Sequence, residues 1–177
     1  MVKLSPVMQK FVLHWGEMGT RWGINRTVAQ VHALLFLSPK PLNAEEIAET
    51  LSVARSNVST SLKELQNWGI VRIIHVLGDR RDHFETMKDI WEMFNVILNE
   101  RKRREIDPTV QLLRECAAHT DKATPADAHS RERIQELLAF FEVMTAAYEQ
   151  IRALPPSSVE KFVKTGDKVR KVLSMMS

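Results

Sequence analysis

The chain has 177 residues, room for one domain or one domain with an extension, and 44% of them are hydrophobic, enough for a real core. Its formal net charge of +3 is too mild to imply a nucleic-acid partner by itself. The lone Cys116 excludes an intrachain disulfide and suits a reducing compartment, and no apolar run approaches the roughly 18 residues of a membrane span.

Lys3 is basic, but Gln9, Lys10 and His14 interrupt any apolar core of a signal peptide. Ser5-Pro6 predicts a helix start, with Ser as cap and Pro in the first turn. Val7, Phe11, Trp15 and Met18 mark one apolar face, and the glycines predict an end near Gly19. Trp15 and Trp22 read as core or interface residues ahead of ligand contacts. Asn25 caps a second predicted helix over Arg26–Leu37, with Val28, Val31, Leu34 and Leu35 on its buried side. Ser38-Pro39-Lys40-Pro41 stops it, because a residue before proline is pushed out of the helical region.

Residues 43–86 carry the strongest local signals. Asn43 followed by Glu46 has the spacing of a capping box, and Ile47, Ala48 and Leu51 share a face of the short helix it opens. Glu45, Glu46 and Glu49 point elsewhere on this reading, so the helix should support a nucleic-acid reader without touching phosphate. Ser52-Val53 makes the turn. The next helix, 54–68, buries Val58, Leu62 and Leu65 and presents Arg55, Ser56, Asn57, Ser59, Thr60, Ser61 and Lys63. Small hydroxyl residues are poor helix formers, so their concentration suggests a face in use, and their donors and acceptors suit the major groove. A solvated helix without a partner is the competing reading. Trp68-Gly69 ends the helix, and Ile70–Val76 reads as a strand that returns through Asp82–Glu85 after a turn at Gly78-Asp79. Arg80 and Arg81 sit at the tip, where they suit phosphate or a narrow minor groove, or else pair with Asp79 and Asp82 in an ordinary solvated turn. Between Arg55 and Arg81 five basic residues face Glu64 and Asp79, a local net of +3, whereas the preceding helix carries three glutamates.

These residues carry a resemblance. Trp22-Gly23-Ile24-Asn25-Arg26, Leu34–Pro39, Glu46-Ile47-Ala48, Ser56-Asn57-Val58-Ser59, Leu62–Leu65, Trp68-Gly69 and Gly78-Asp79-Arg80-Arg81-Asp82 run in order. Over residues 22–88 the chain resembles the GbsR-type branch of the MarR-like winged-helix repressors. The resemblance implies a mainly α fold: a winged helix-turn-helix with a small β-hairpin wing, plus N- and C-terminal dimerisation helices. The expected division is 1–22 as the N-terminal dimerisation helix, 23–88 as the DNA-binding domain, and 89–177 as a helical dimerisation and effector region. It further implies a cytoplasmic prokaryotic protein, associated with the nucleoid when bound to DNA.

After the wing, a helix is predicted from Met87 to Arg104, with Ile90, Phe94, Ile97, Leu98 and Arg101 at helical spacing and Trp91 one position off. Lys102, Arg103 and Arg104 near its end suit either the helix dipole or a second phosphate contact. Asp107-Pro108 should break or bend the chain before helix resumes over Thr109–Ala118, and 119–130 reads as a linker. Ile134, Leu137, Phe141, Met144, Tyr148 and Ile151 follow alternating steps of three and four, an a/d seam. Ser157 opens a last helix with Glu160 at its third position, and Val159, Phe162, Gly166, Val169, Leu173 and Met176 repeat that spacing. The winged helix is too small to cover both seams, which predicts a homodimer. Two-fold symmetry would set two recognition helices roughly 34 Å apart, one turn of DNA.

No enzymatic constellation stands out, and no cofactor is expected. The histidines lack zinc-ligand spacing; His83 and Glu85 share a strand face, where an ordinary exposed pair is favoured over a metal site. Cys116 lies among Arg114, Glu115 and His119, and an inert thiol is favoured over a redox sensor. Relatives of the GbsR type include regulators that respond to choline or related osmolyte precursors, and an aromatic cage would bind a quaternary ammonium. Trp91, Phe94, Phe140, Phe141 and Tyr148 are its candidates, though Phe94, Phe141 and Tyr148 also lie on core seams. The expected function is therefore a sequence-specific, homodimeric transcriptional repressor of double-stranded DNA, released by a small-molecule effector. Arg55, Ser56, Asn57, Ser59, Thr60 and Lys63 would face the major groove, and Arg80 and Arg81, in the 78–82 wing, the backbone or minor groove. The alternative is a winged-helix module for protein contacts.

Overall fold

Ser5 accepts the Met8 N–H and opens α1, Pro6–Arg21, in a computed structural model of the chain. Residues 3–119 and 125–155 are described, and beyond them only 157–159, 161, 165 and 166. The expected last helix, with Glu160, Phe162, Val169, Leu173 and Met176, lies for the most part outside the described residues.

The helix α1 runs to Arg21, two residues past Gly19, so Gly16 and Gly19 lie inside it. They are its contact points with α2, Arg26–Leu37: a Cβ at Gly19 would lie 2.5 Å from the Cβ of Ala29, and one at Gly16 would lie 2.7 Å from Gln30. The buried residues of α1 are Val12, Gly16 and Gly19, while Val7 is exposed. The apolar stripe read from Val7, Phe11, Trp15 and Met18 is thus only partly covered, because close approach happens where side chains are absent. The helix α2 begins and ends where its cap and its proline predict, with the Asn25 side chain accepting the Thr27 N–H.

A two-residue strand follows, β1, Leu42–Asn43. Asn43 then opens α3, Ala44–Leu51, with both halves of the capping box formed: its side chain accepts the Glu46 N–H at 3.0 Å, and the Glu46 carboxylate accepts the Asn43 N–H at 3.0 Å. Ser52 closes α3 in the left-handed region at φ +54°, and α4 runs over Arg55–Asn67. Gly69, at φ +78°, reverses the chain into β2, Val71–Ile74, which pairs antiparallel with β3, His83–Thr86. The sheet order is β1-β3-β2, so the wing hairpin gains a third strand from the α2–α3 connection. The base of the hairpin is fastened by Ile70, whose carbonyl accepts from the Thr86 hydroxyl at 3.0 Å and from the Met87 N–H at 2.9 Å.

The core of this part gathers Val31 and Leu34 of α2, Leu42, Ile47 of α3, Val58, Leu62 and Leu65 of α4, and Ile70. Full burial of each such side chain is worth about 1.5–3 kcal/mol. His32 is buried with them; desolvation lowers its pKa from 6.5 to about 4, and its Nε2 meets no hydrogen-bond partner.

The next helical stretch departs from expectation. It comprises α5, Ile90–Arg101, a π-helical turn over Lys102–Ile106, and α6, Asp107–His119. Asp107-Pro108 does not break the helix. Pro108 has no N–H to give the preceding turn and its ring crowds it; the wider turn absorbs both, with the Asp107 N–H donating to Lys102 O. On α5 the buried residue is Met93, with Val96 and Ile97 packed beside it, while Ile90, Trp91 and Phe94 are exposed. The helix α7, Pro125–Arg152, takes in the second half of the expected linker, with Pro125 at its first position.

The contacts divide the chain into two units, one up to Ile97 and one from Leu98 onward. In the second, α6 buries Val110 and Leu113, and α7 leaves Leu137, Phe140, Val143, Met144 and Ile151 exposed. No helix of the described residues is long and apolar enough to cross a membrane.

Candidate nucleic-acid interface

The exposed face of α4 is polar because its other face is spent on the core. Val58, Leu62 and Leu65 are buried, and Arg55, Ser56, Asn57, Thr60 and Lys63 are exposed, with Ser59 half-buried. Ser61 departs from its expected place on the polar face: it is buried, next in sequence to the buried Leu62. Ala54 precedes α4 without a side-chain cap, so no cap side chain takes up the first-turn N–H groups at the positive end of the helix dipole.

The wing is shaped by Gly78 at φ +85°, with the Asp79 N–H donating to Val76 O at 3.1 Å. The Asp79 carboxylate then accepts the Arg81 backbone N–H at 3.0 Å and the Arg81 Nε at 2.9 Å, and it also pairs with the Arg81 Nη2. That guanidinium holds the Asp79 carboxyl well below the usual carboxylate range. The expected pairing of Arg81 with Asp79 is therefore present. Arg80, next to it, is exposed and makes no ion pair with any described residue. Arg72 is committed across the hairpin to Glu85, its register partner, at 2.8 Å. It adds nothing to the free positive charge.

A link between helix and wing was not expected. Glu45, in the first turn of α3, places one oxygen 3.0 Å from Arg55 Nη2 and the other 3.5 Å from Arg81 Nη1. The acidic helix thus does not point wholly elsewhere; one of its carboxylates lies between the front of α4 and the wing. Sequence spacing has no means of showing a contact across 36 residues.

The other sequence candidates are less concentrated. Lys102 pairs with Asp107 at 2.8 Å, and Arg103 and Arg104 with Glu100 at 2.6 and 2.7 Å. Those pairs raise the pKa of Lys102 through Asp107 and lower that of Glu100 through Arg103. Lys102 also lies 3.7 Å from Glu149 of α7, so the cluster is committed to nearby carboxylates. Of the five aromatic candidates, Phe140, Phe141 and Tyr148 line one cavity of about 350 Å³ in the second unit, with Phe140 and Phe141 edge to face at 5.8 Å. The Tyr148 hydroxyl donates to Asn99 Oδ1 at 2.9 Å. Trp91 and Phe94 belong to the first unit and do not line that cavity. His83 is buried, with its Nδ1 3.0 Å from the Arg81 carbonyl oxygen, and no group of three metal-binding side chains occurs among the described residues. Cys116 is half-buried on α6.

Three helices, the last with an exposed polar face, followed by a basic-tipped hairpin, define a winged helix-turn-helix module. Residues 22–82 match the MarR family model. The chain is 22% identical, over 149 residues, to the HTH-type transcriptional repressor GbsR of Bacillus subtilis strain 168, covering 82% of this chain and 79% of that protein. A second protein of that strain, YvaV, is 22% identical over 132 residues, 72% of this chain and 73% of its own. A crystal structure of a transcriptional regulator superposes with a TM-score of 0.58 at 24% identity, over 82% of this chain and 99% of that one, which bears on the fold. These relatives are HTH-type regulators, a class that is not enzymatic.

Proposed function

We propose that the protein is a DNA-binding transcriptional regulator acting as a homodimeric repressor. The observation that carries this is the joining of the α4 face to the wing: Arg55 and Arg81 lie on one carboxylate, so the helix front and the basic loop address a single surface. Arg55, Ser56, Asn57, Ser59, Thr60 and Lys63 would read the major groove, and Arg80 and Arg81 would hold the sugar-phosphate backbone or the minor groove. The match to the MarR family model and the relatives named above support the same reading. Residues 23–88 would form the reading head, while 1–22 and 89–177 would supply the dimer contacts; the exposed apolar residues of α7 support that role.

Duplex titrations with two variants test this. Arg81→Ala should weaken binding to all sequences alike, whereas Asn57→Ala should change the preference among sequences, by about 1–3 kcal/mol at the base it reads. Two variants with indistinguishable effects on every duplex would point to a protein-contact module.

The cavity of Phe140, Phe141 and Tyr148 supports a small-molecule effector there, with aromatic faces suited to a quaternary ammonium. Choline should then lower duplex affinity for the native protein and leave Phe141→Ala unaffected. A native protein indifferent to choline would remove this part of the proposal.

A further inference from the structure

Among the described residues, Glu45 is the carboxylate that pairs with arginines from both halves of the proposed reading surface. Its Oε1 lies 3.0 Å from Arg55 Nη2 and its Oε2 lies 3.5 Å from Arg81 Nη1. Arg81 spends its remaining edge on Asp79. The four side chains together carry two positive and two negative charges, so the junction between helix and wing is locally neutral. All of them remain open to solvent, with Arg55 and Arg81 more exposed than Glu45.

The neighbouring glutamate shows that this is not a capping requirement. Glu46 closes the capping box with Asn43, so α3 keeps its start whatever stands at position 45. Two oxygens held between two guanidiniums also present the same demand as the two free oxygens of a phosphodiester. Exposed ion pairs hold their partners weakly, so Glu45 constrains the arginines little, yet its charge repels any phosphate that approaches them.

We propose that Glu45 occupies the place of a DNA phosphate between Arg55 and Arg81 and so limits sequence-independent binding. It acts as a specificity-determining residue: a duplex must exchange the carboxylate for its own backbone, and base contacts made by α4 complete the exchange. This inference rests on the DNA-binding reading above.

The test uses the full chain and a mixed-sequence duplex with no selected site, titrated at several salt concentrations. Glu45→Gln should bind that duplex about three- to tenfold more tightly than the native protein, as expected for removing one exposed charge beside a phosphate contact. Its log–log salt slope should steepen by about one, the change for one additional phosphate neutralised. Glu45→Asp, which keeps the charge, should stay near the native affinity. Glu49→Gln removes the same charge farther along α3 and should have the smaller effect. Equal or weaker binding by Glu45→Gln, or an equally large gain in Glu49→Gln, overturns the proposal. A native protein without salt-dependent binding would instead overturn the DNA-binding reading itself.

Discussion

The two units of this chain satisfy their apolar residues differently. In the first, helices and strands enclose Leu34, Leu42, Ile47, Leu62, Leu65 and Ile70 almost completely, and the caps at Asn25 and Asn43 are both formed. In the second, α6 buries Val110 and Leu113, while α7 keeps Leu137, Phe140, Val143 and Met144 in solvent. A reading head must hold a rigid face without help from another chain. A helix whose apolar residues stay exposed has stability or assembly still to gain from another surface.

The contrast can be broken most directly by truncation in each unit. Leu65→Ala removes a fully enclosed side chain and should cost on the order of 3–4 kcal/mol, read from denaturant unfolding. Val143→Ala, on the open side of α7, should cost less than about 0.5 kcal/mol in dilute protein. Equal losses would show that α7 is enclosed after all, and a loss at Val143 that appears only at high protein concentration would show that a second copy encloses it.

The enclosure of the first unit also predicts a pH dependence. His32 is neutral when folded, with a pKa near 4 against 6.5 when exposed, because burial disfavours its charge. The unfolded chain therefore binds the extra proton first as pH falls. Stability from this group is complete above pH 6.5 and is lost between 6.5 and 4, by on the order of 3 kcal/mol. Unfolding measured across that range should flatten in His32→Phe. An unchanged slope in the variant would mean that His32 is not the buried titrating group.

Legibility in the sequence followed the range of the interactions. The limits of α2 and the capping box at Asn43–Glu46 are set by neighbours within a few residues, and both form as expected. The strand β1 is only Leu42–Asn43 and exists because Phe84 and His83 lie opposite it, so no local pattern could reveal it. Ser61 looks polar by residue type, but packing claims it. Pro108 reads as a break or a bend, and the helix continues past it through a π turn five residues long. Within the candidate interface, the exposed α4 residues and the Arg80-Arg81 tip were legible from periodicity and turn chemistry. The carboxylate between them was not, because Glu45 meets Arg81 only through the fold.

The central claim is that the α4 face and the wing together grip duplex DNA. Its most direct test is the salt dependence of duplex affinity for the native protein. Contact with about six phosphates predicts a log–log slope near −5. A slope indistinguishable from zero would contradict it and leave the polar face of α4 as a surface for another protein.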